Sequence, residues 1–151
     1  MVIYTMNPDG TNLTQISDPS GSAVNHAWSP DDRLIAYQSD LDGDNDIYVY
    51  EVSTKITRLL TNNMIEDYAP TWYCNGPLIV FTSDVTGDSN LFAAPALPID
   101  APSILVESEA KQLTFDPASD QYPSDSPSEE DASNAFPLSV EEITGFDWPQ
   151  R

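Results

Sequence analysis

The sequence predicts an all-β fold, a partial β-propeller of about two to three four-stranded antiparallel blades with an irregular acidic C-terminal tail. The first observation behind this prediction is a repeat with an offset of 44 positions, at which Trp28 returns as Trp72. The second is that each unit consists of short β-branched and aromatic runs separated by turn residues. The third is that no segment has sustained helical periodicity. A unit of this length and composition is typical of one propeller blade.

The repeat region, residues 2–94, contains two units, 3–46 and 47–90. A degenerate third unit with an insertion covers residues 91–115. Residues 116–151 are acidic, rich in Pro and Ser and poor in aliphatic bulk, so we expect a largely disordered tail. The positions that recur identically are Ile3, Tyr4, Trp28, Leu34, Ile35, Ser39, Asp40, Gly43 and Asp44, which return as Ile47, Tyr48, Trp72, Leu78, Ile79, Ser83, Asp84, Gly87 and Asp88.

Turn chemistry separates the strands that are predicted within one unit. The turn Ser29–Asp32 contains a proline and two aspartates, and it precedes a strand over residues 34–37. Glycine, asparagine and aspartate over residues 39–46 predict a hairpin loop, and the β-branched and aromatic run 47–52 predicts the next strand. A further strand is predicted over residues 56–60. The second copy repeats this order, with strands over 78–82 and 91–94 and a loop over 84–90.

The formal charge of −20 argues against two classes of partner. With 25 acidic and five basic residues, the chain has no basic patch that would displace counterions from phosphate, so we expect no nucleic-acid binding. No apolar stretch approaches the roughly 20 residues that cross a bilayer, so we expect no membrane insertion. Met1 is followed by a strand-like segment, so no signal peptide is predicted in this chain.

Candidate catalytic residues are few, and the chain is predicted to be non-enzymatic, with no catalytic or cofactor-binding residue and no cofactor. His26, the only histidine, is expected at a blade edge instead of acting as a general base. Cys74, the only cysteine, excludes an internal disulfide and a cysteine-based zinc site, and we expect it half-buried in a turn. The segment Gly87–Leu91 lacks the second glycine of a nucleophile elbow.

The segment from Asp40 to Glu51 is close to a calcium loop. Its carboxylates match most ligand positions of the EF-hand pattern, but Asn45 stands where that pattern needs glycine, and strand chemistry begins where it needs a helix. The equivalent loop, Asp84–Asn90, keeps fewer carboxylates. The sequence therefore favours a solvated hairpin loop whose aspartates bind their own backbone. No metal site is assigned, and calcium binding by the Asp40–Asp46 loop stays open as the alternative.

Two of the three tryptophans occupy equivalent positions. Because a large apolar side chain at a fixed blade position is typical of stacked sheets, Trp28 and Trp72 are each expected to pack between adjacent blades. On that expectation, Trp28→Ala costs about 3 to 5 kcal/mol. Trp148 lies outside the repeat and has no such explanation.

Ordered motifs give the repeat a family resemblance. In the first unit they are Ile-Tyr-x-Met-Asn-x-Asp-Gly at residues 3–10, His-Ala-Trp-Ser-Pro-Asp at 26–31 and Ile-Ala-Tyr-x-Ser-Asp at 35–40. The second copy departs at residues 73–76, where Tyr-Cys-Asn-Gly replaces Ser-Pro-Asp-Gly. In this order the motifs resemble the WD40-like (PD40) repeat of TolB-like β-propellers. The resemblance covers residues 3–94 and weakens over 95–127.

The resemblance implies a non-catalytic protein-interaction scaffold, because the six-bladed propellers of this family act as interaction platforms in the cell envelope. It also implies a periplasmic or extracellular location. The resemblance thus implies a protein partner. Two or three blades cannot close a ring, so we expect a fragment of a larger propeller, with self-association through open blade edges as the alternative. One alternative is the gating propeller portion of a prolyl-oligopeptidase-like serine peptidase whose catalytic domain is absent here. Another is a carbohydrate-binding or calcium-stiffened surface propeller.

Overall fold

The computed structural model describes residues 1–74, 78–96 and 110–115. These residues form ten strands in three antiparallel sheets and contain no helix, so the predicted all-β class is confirmed. In the described ranges no helix therefore has the length and apolar character that crossing a bilayer requires. The strands are β1 (Tyr4–Thr5), β2 (Thr14–Gln15), β3 (Ala23–Trp28), β4 (Leu34–Ser39), β5 (Asp46–Glu51), β6 (Ile56–Leu59), β7 (Asp67–Trp72), β8 (Leu78–Ser83), β9 (Asn90–Pro95) and β10 (Lys111–Gln112).

The first four-stranded sheet, which we call the first blade, has the order β3-β4-β5-β6. Its central hairpin runs without a break from the pair Leu34 and Glu51 to the pair Ser39 and Asp46. The turn predicted before β4 is present, because the N–H of Asp32 donates to the carbonyl of Ser29 at 3.0 Å. The strands and hairpin loop that were predicted over residues 34–60 are thus confirmed.

The second sheet, the second blade, has the order β10-β9-β8-β7 and repeats the same connectivity. The hairpin of β8 and β9 pairs Leu78 with Pro95 and Ser83 with Asn90, 44 positions after the equivalent pairs of the first blade. In each blade the first two strands come from one sequence unit and the last two strands come from the next. Residues 116–151, for which a disordered tail was predicted, lie outside the described residues, as does most of the predicted insertion.

The first strand of each blade, β3 in one and β7 in the other, was not predicted, because each is interrupted by a β-bulge. The pairing of β3 shifts between Val24 and Ala27, and that of β7 shifts between Tyr68 and Thr71. Inside the bulges, the equivalent residues Asn25 and Ala69 both have φ 52°. A bulge breaks the alternation of polar and apolar residues, which is the pattern that identifies a strand in a sequence.

Apolar side chains bury the interface between the two blades. Ala36 and Ile47 of the first blade pack against Ile79, Phe81 and other residues of the second. The rings of Phe81 and Phe92 are stacked with centroids 6.2 Å apart. Trp72 is buried in this interface as predicted, and its Nε1–H donates to the carbonyl of Ala27 at 3.0 Å.

One buried glutamine crosses this apolar interface. The side-chain oxygen of Gln38, in β4, accepts from Nδ2 of Asn25 at 2.8 Å and from the backbone N–H of Ala69 at 2.9 Å. Its Nε2 donates to Oδ1 of Asn45 at 3.3 Å. The two bulges therefore meet at a single side chain that belongs to the first blade.

The short sheet of β1 and β2 covers part of the other face of the first blade. Ile3 and Ile16 pack there against Tyr37 and Tyr48, whose rings are stacked with centroids 5.6 Å apart. At the repeat offset of 44 positions, β1 and β2 correspond to β5 and β6, the outer strands of a blade. In this short sheet, no described strand corresponds to β3 or β4, the first two strands of a complete blade.

For this reason the predicted burial of Trp28 is wrong. Trp28 pairs with Ile35 and lies on the same face as that residue, but its side chain is 45% exposed. Equal position in the repeat did not give equal surroundings, because the sheet opposite Trp28 has only two strands. On the face of the second blade that points away from the first, Leu78 and Val80 are buried, with 1% and 4% of their surface accessible.

Candidate functional site

The densest group of functional side chains in the described residues lies in the hairpin loop between β4 and β5. Gly43 has φ 128°, a backbone angle that other residues rarely adopt, and its N–H donates to the carbonyl of Asp40 at 3.3 Å. The loop places one carboxylate oxygen from each of Asp42, Asp44 and Asp46 within 4.8 Å of the others. We call these three residues the aspartate cluster.

Asp46 is the buried member of the aspartate cluster. It is the first residue of β5 and is completely buried. Its Oδ1 accepts from the Thr61 hydroxyl at 2.9 Å, and the oxygen of that hydroxyl accepts from the N–H of Ile47 at 2.9 Å. Its Oδ2 is buried and has no hydrogen-bond donor among the described residues. Burial raises the pKa of Asp46 to about 7, and the charges of Asp42 and Asp44 add to the rise, while the Thr61 hydrogen bond opposes it.

Negative charge accumulates around the cluster. Burial raises the pKa of Asp44, and the carboxylates of Asp42 and Glu66 raise it further. Glu66, between β6 and β7, accepts from Nδ2 of Asn45 at 2.6 Å, which joins the two loops. Burial also raises the pKa of Tyr48, whose hydroxyl donates to Oδ1 of Asp42 at 3.5 Å. The loop is therefore a concentrated set of oxygen ligands beside an aromatic ring.

The equivalent loop of the second blade carries an amide in place of the buried carboxylate. Its residues Thr86, Asp88 and Asn90 stand 44 positions after Asp42, Asp44 and Asp46. Nδ2 of Asn90 donates to Oγ1 of Thr86 at 2.8 Å and to the backbone carbonyl of Asp88 at 3.2 Å. Oδ1 of Asn90 accepts from the Thr114 hydroxyl at 3.1 Å, as Asp46 accepts from Thr61. The second loop thus supplies a donor at the place where the first presents only carboxylates.

The EF-hand alignment from Asp40 to Glu51 does not describe the loop. Oδ1 of Asp40 accepts from the N–H of Ser22, and Glu51 accepts from the Thr54 hydroxyl at 2.7 Å at the far end of β5. Neither carboxylate joins the aspartate cluster. The expected solvated loop is also wrong for Asp46, because this residue begins a buried strand.

Sequence reasoning missed both Asp46 as a buried group and Thr61 as its partner. A usable signal was present: Leu60-Thr61 and Leu113-Thr114 each follow a hairpin whose second strand opens with Asp or Asn. A polar residue that recurs at a strand start, together with a recurring threonine, indicates a buried hydrogen bond more than a solvated turn.

Two residues that were considered as functional candidates, His26 and Cys74, lie at the surface. His26 is exposed on β3, the edge strand of the first blade, so its predicted place at a blade edge is confirmed. Cys74 is exposed in the turn after β7, so the expected half-burial is wrong. The residue lies two positions beyond Trp72, the last paired residue of β7, and therefore outside the sheet. Trp148 lies outside the described residues.

Two exposed aromatic side chains lie on the side of the first blade that faces away from the second blade, one on the blade itself and one on the short sheet that covers part of it. Trp28 is 45% exposed on the first blade, and Tyr4 is 49% exposed on β1. Alternation along β1 directs Tyr4 away from the first blade, since its neighbour Ile3 is in the buried cluster with Tyr37. We call Tyr4 and Trp28 the aromatic face.

No protein-family model matches the chain. Solved structures do match its fold: the putative TolB from Agrobacterium tumefaciens is similar with a TM-score of 0.68 and 23% identity, over 83% of this chain and 42% of that one. TolB from Acinetobacter baumannii is similar with a TM-score of 0.58 and 21% identity, over 75% and 26% of the two chains. The tricorn protease is similar with a TM-score of 0.61 and 17% identity, over 76% and 15%.

These similarities confirm the fold that the motifs predicted, a partial TolB-like β-propeller. The chain spans less than half the length of each of these proteins. At this level of identity the comparison concerns architecture, and activity has to be argued from side chains.

Proposed function

We propose that this chain is a non-catalytic part of a TolB-like β-propeller and that its function is to bind another protein. The aromatic face carries the proposal. Exposed aromatic side chains on a soluble protein are typical of interaction surfaces, since they offer a large apolar area at a small cost in side-chain entropy. Among the described residues, the apolar clusters between the blades and around Leu78 and Val80 are buried, whereas Trp28 and Tyr4 are open to contact by a partner.

The equivalent tryptophan shows what such a side chain can do. Trp72 is buried against a neighbouring sheet and donates its indole N–H to a backbone carbonyl. Trp28 has the same place in its blade and remains 45% exposed. A partner that presents an extended backbone to Trp28 would gain both apolar burial and a hydrogen bond, the combination that makes tryptophan a frequent hot-spot residue.

One observation favours a second function. In this alternative, the chain is a portion of the gating propeller of a prolyl-oligopeptidase-like serine peptidase. One of the similar structures is a protease, the tricorn protease. In that case the blades would bind or admit peptides for a hydrolase domain elsewhere in the protein.

Photo-crosslinking tests the proposal. We would place benzoylphenylalanine at Trp28 and, as a control, at Met64, which is 92% exposed in the loop between β6 and β7. We expect one protein to be captured at position 28 and not at position 64. With that protein purified, Trp28→Ala should weaken binding about 30-fold, equivalent to about 2 kcal/mol for a hot-spot residue, and Met64→Ala should leave it unchanged.

Two results would contradict the proposal. The first is equal capture at both positions, or a Trp28→Ala variant that binds as tightly as the wild type. The second is hydrolysis of short peptides by the protein that contains this chain, blocked by a serine-directed phosphonate, which would support the peptidase function instead.

A further inference from the structure

Two carboxylate oxygens in the aspartate cluster are buried without a hydrogen-bond donor from the part of the chain that the structure describes. They are Oδ2 of Asp44 and Oδ2 of Asp46. Asp46 is completely buried, and the Thr61 hydroxyl holds its other oxygen, so the side chain is not free to turn towards solvent. A buried carboxylate of this kind is unfavourable unless a donor, a proton or a cation meets it.

The equivalent loop of the second blade has a hydrogen-bond donor at this position. There the amide of Asn90 points at Thr86 and supplies the missing donor, while the link to the threonine of the next strand is unchanged. In the first blade, Asp42 and Asp46 stand at these two positions and both are acceptors. The two loops therefore differ at the point where a hydrogen-bond donor or a cation belongs.

The distances in the cluster fit calcium. Calcium binds oxygen ligands at about 2.3 to 2.6 Å, so two ligands on opposite sides of one ion are separated by at most about 5 Å. The three carboxylates each offer an oxygen within 4.8 Å of the others, which is close to the separation between ligands of one calcium ion. Asp42 is exposed, which leaves an entry path and positions for water ligands.

We propose that the aspartate cluster is a calcium site, with Asp42, Asp44 and Asp46 as ligands. An ion there neutralises the two buried oxygens and fixes the β4–β5 hairpin to its surroundings. Thr61 already ties Asp46 to the chain after β6, and Asn45 ties the loop to Glu66. With three protein carboxylates and water as the other ligands, we expect a dissociation constant on the order of 10⁻⁴ to 10⁻³ M, as in extracellular modules.

Two measurements on the full chain, freed of metal with EDTA and dialysed into 150 mM NaCl, test the site. At 10 mM CaCl₂ we expect the melting temperature to rise by roughly 4 to 10 °C, the range that mass action gives for this affinity. Terbium(III), which replaces calcium at oxygen sites, should luminesce when tyrosine is excited, because the Tyr48 hydroxyl lies 3.5 Å from Oδ1 of Asp42. CaCl₂ should quench this signal by competition.

Matched variants distinguish a site from the general attraction of an acidic chain for cations. Asp46→Asn copies the second loop, so we expect it to fold, to lose the calcium shift and to bind terbium at least tenfold more weakly. Asp88→Asn removes a carboxylate from the second loop and should behave as the wild type. Thr86→Asp combined with Asn90→Asp copies the first loop into the second and should add a second calcium shift.

The proposal is overturned if Asp46→Asn and Asp88→Asn retain the same calcium shift. It is also overturned if MgCl₂ at the same concentration, or NaCl at the same ionic strength, stabilises the wild type as much as CaCl₂ does. Terbium luminescence that survives unchanged in Asp46→Asn would likewise show that the ion binds elsewhere.

Discussion

The substitution Asp46→Asn measures how much a buried carboxylate destabilises the metal-free chain. The variant keeps the side-chain oxygen that accepts from the Thr61 hydroxyl. It replaces Oδ2, which has no hydrogen-bond donor among the described residues, with an amide nitrogen that can itself donate. The second blade already has this arrangement, with Asn90 bonded to Thr114 and Thr86. We therefore expect the variant to be more stable than the wild type in EDTA at neutral and higher pH.

The size and sign of the effect follow from the pKa of Asp46. Burial raises this pKa from 3.8 to about 7, so the folded chain holds its proton more tightly than the unfolded chain. Stability from this group is greatest below pH 4 and falls as the pH rises towards 7, after which the loss is complete. Three pKa units correspond to about 4 kcal/mol. Because the loop borders water, screening reduces this to roughly 2 kcal/mol.

Urea unfolding followed by circular dichroism in EDTA, at pH 4.5 and at pH 8, checks the prediction. The gain from Asp46→Asn should be about 2 kcal/mol at pH 8 and clearly smaller at pH 4.5, with an unchanged dependence on urea. Asp88→Asn, an exposed position in the second loop, should change stability by less than about 0.5 kcal/mol at either pH. A variant that is less stable than the wild type at pH 8, or a gain that is equal at both pH values, would refute the reasoning.

Three further substitutions test the packing by the same unfolding experiment. Trp72→Ala should cost about 3 to 5 kcal/mol because its indole is buried between blades, whereas Trp28→Ala should cost about 1 kcal/mol; equal losses would contradict the assignment of one buried and one exposed tryptophan. Thr61→Val removes the hydroxyl that serves Ile47 and Asp46 and should cost about 2 kcal/mol, so a neutral result would show that water replaces it. Gly21→Ala should cost about 1 to 3 kcal/mol, because the new Cβ would lie 2.8 Å from the backbone Cα of Leu41; retention of full stability would mean that the loop shifts freely.

The central hairpin of each blade could be predicted from the sequence, and the first strand of each blade, β3 or β7, could not. The apolar run 34–37 in β4 and the β-branched and aromatic run 47–50 in β5 are separated by a glycine-containing loop, so local chemistry alone defines this hairpin. In β3 and β7 the bulges at Asn25 and Ala69 interrupt the alternation, and tertiary contacts supply what the local pattern lacks. Pro70 inside β7 further hides that strand from a propensity argument.

The aspartate cluster shows a second limit of sequence reasoning. The run Asp42–Asp46 indicates carboxylates close together, but burial decides what they do, and burial depends on Thr61 and on the loop that contains Glu66. The failure at Trp28 has the same origin, since the repeat predicts a position within a blade and not the sheet that lies opposite. Both errors concern contacts between segments that are distant in the chain.

The hydrogen bonds of Gln38 have a consequence for the shape of any assembly that these sheets join. Apolar burial has no strict directional requirement, whereas the hydrogen bond from the Ala69 N–H of the second blade to the Gln38 side chain of the first tolerates little rotation of one sheet over the next. The angle between neighbouring sheets is thus set locally, by the hydrogen bonds that Gln38 and Trp72 make across the interface. Curvature would then be inherited from each pair of blades, before any closure of a ring could impose it.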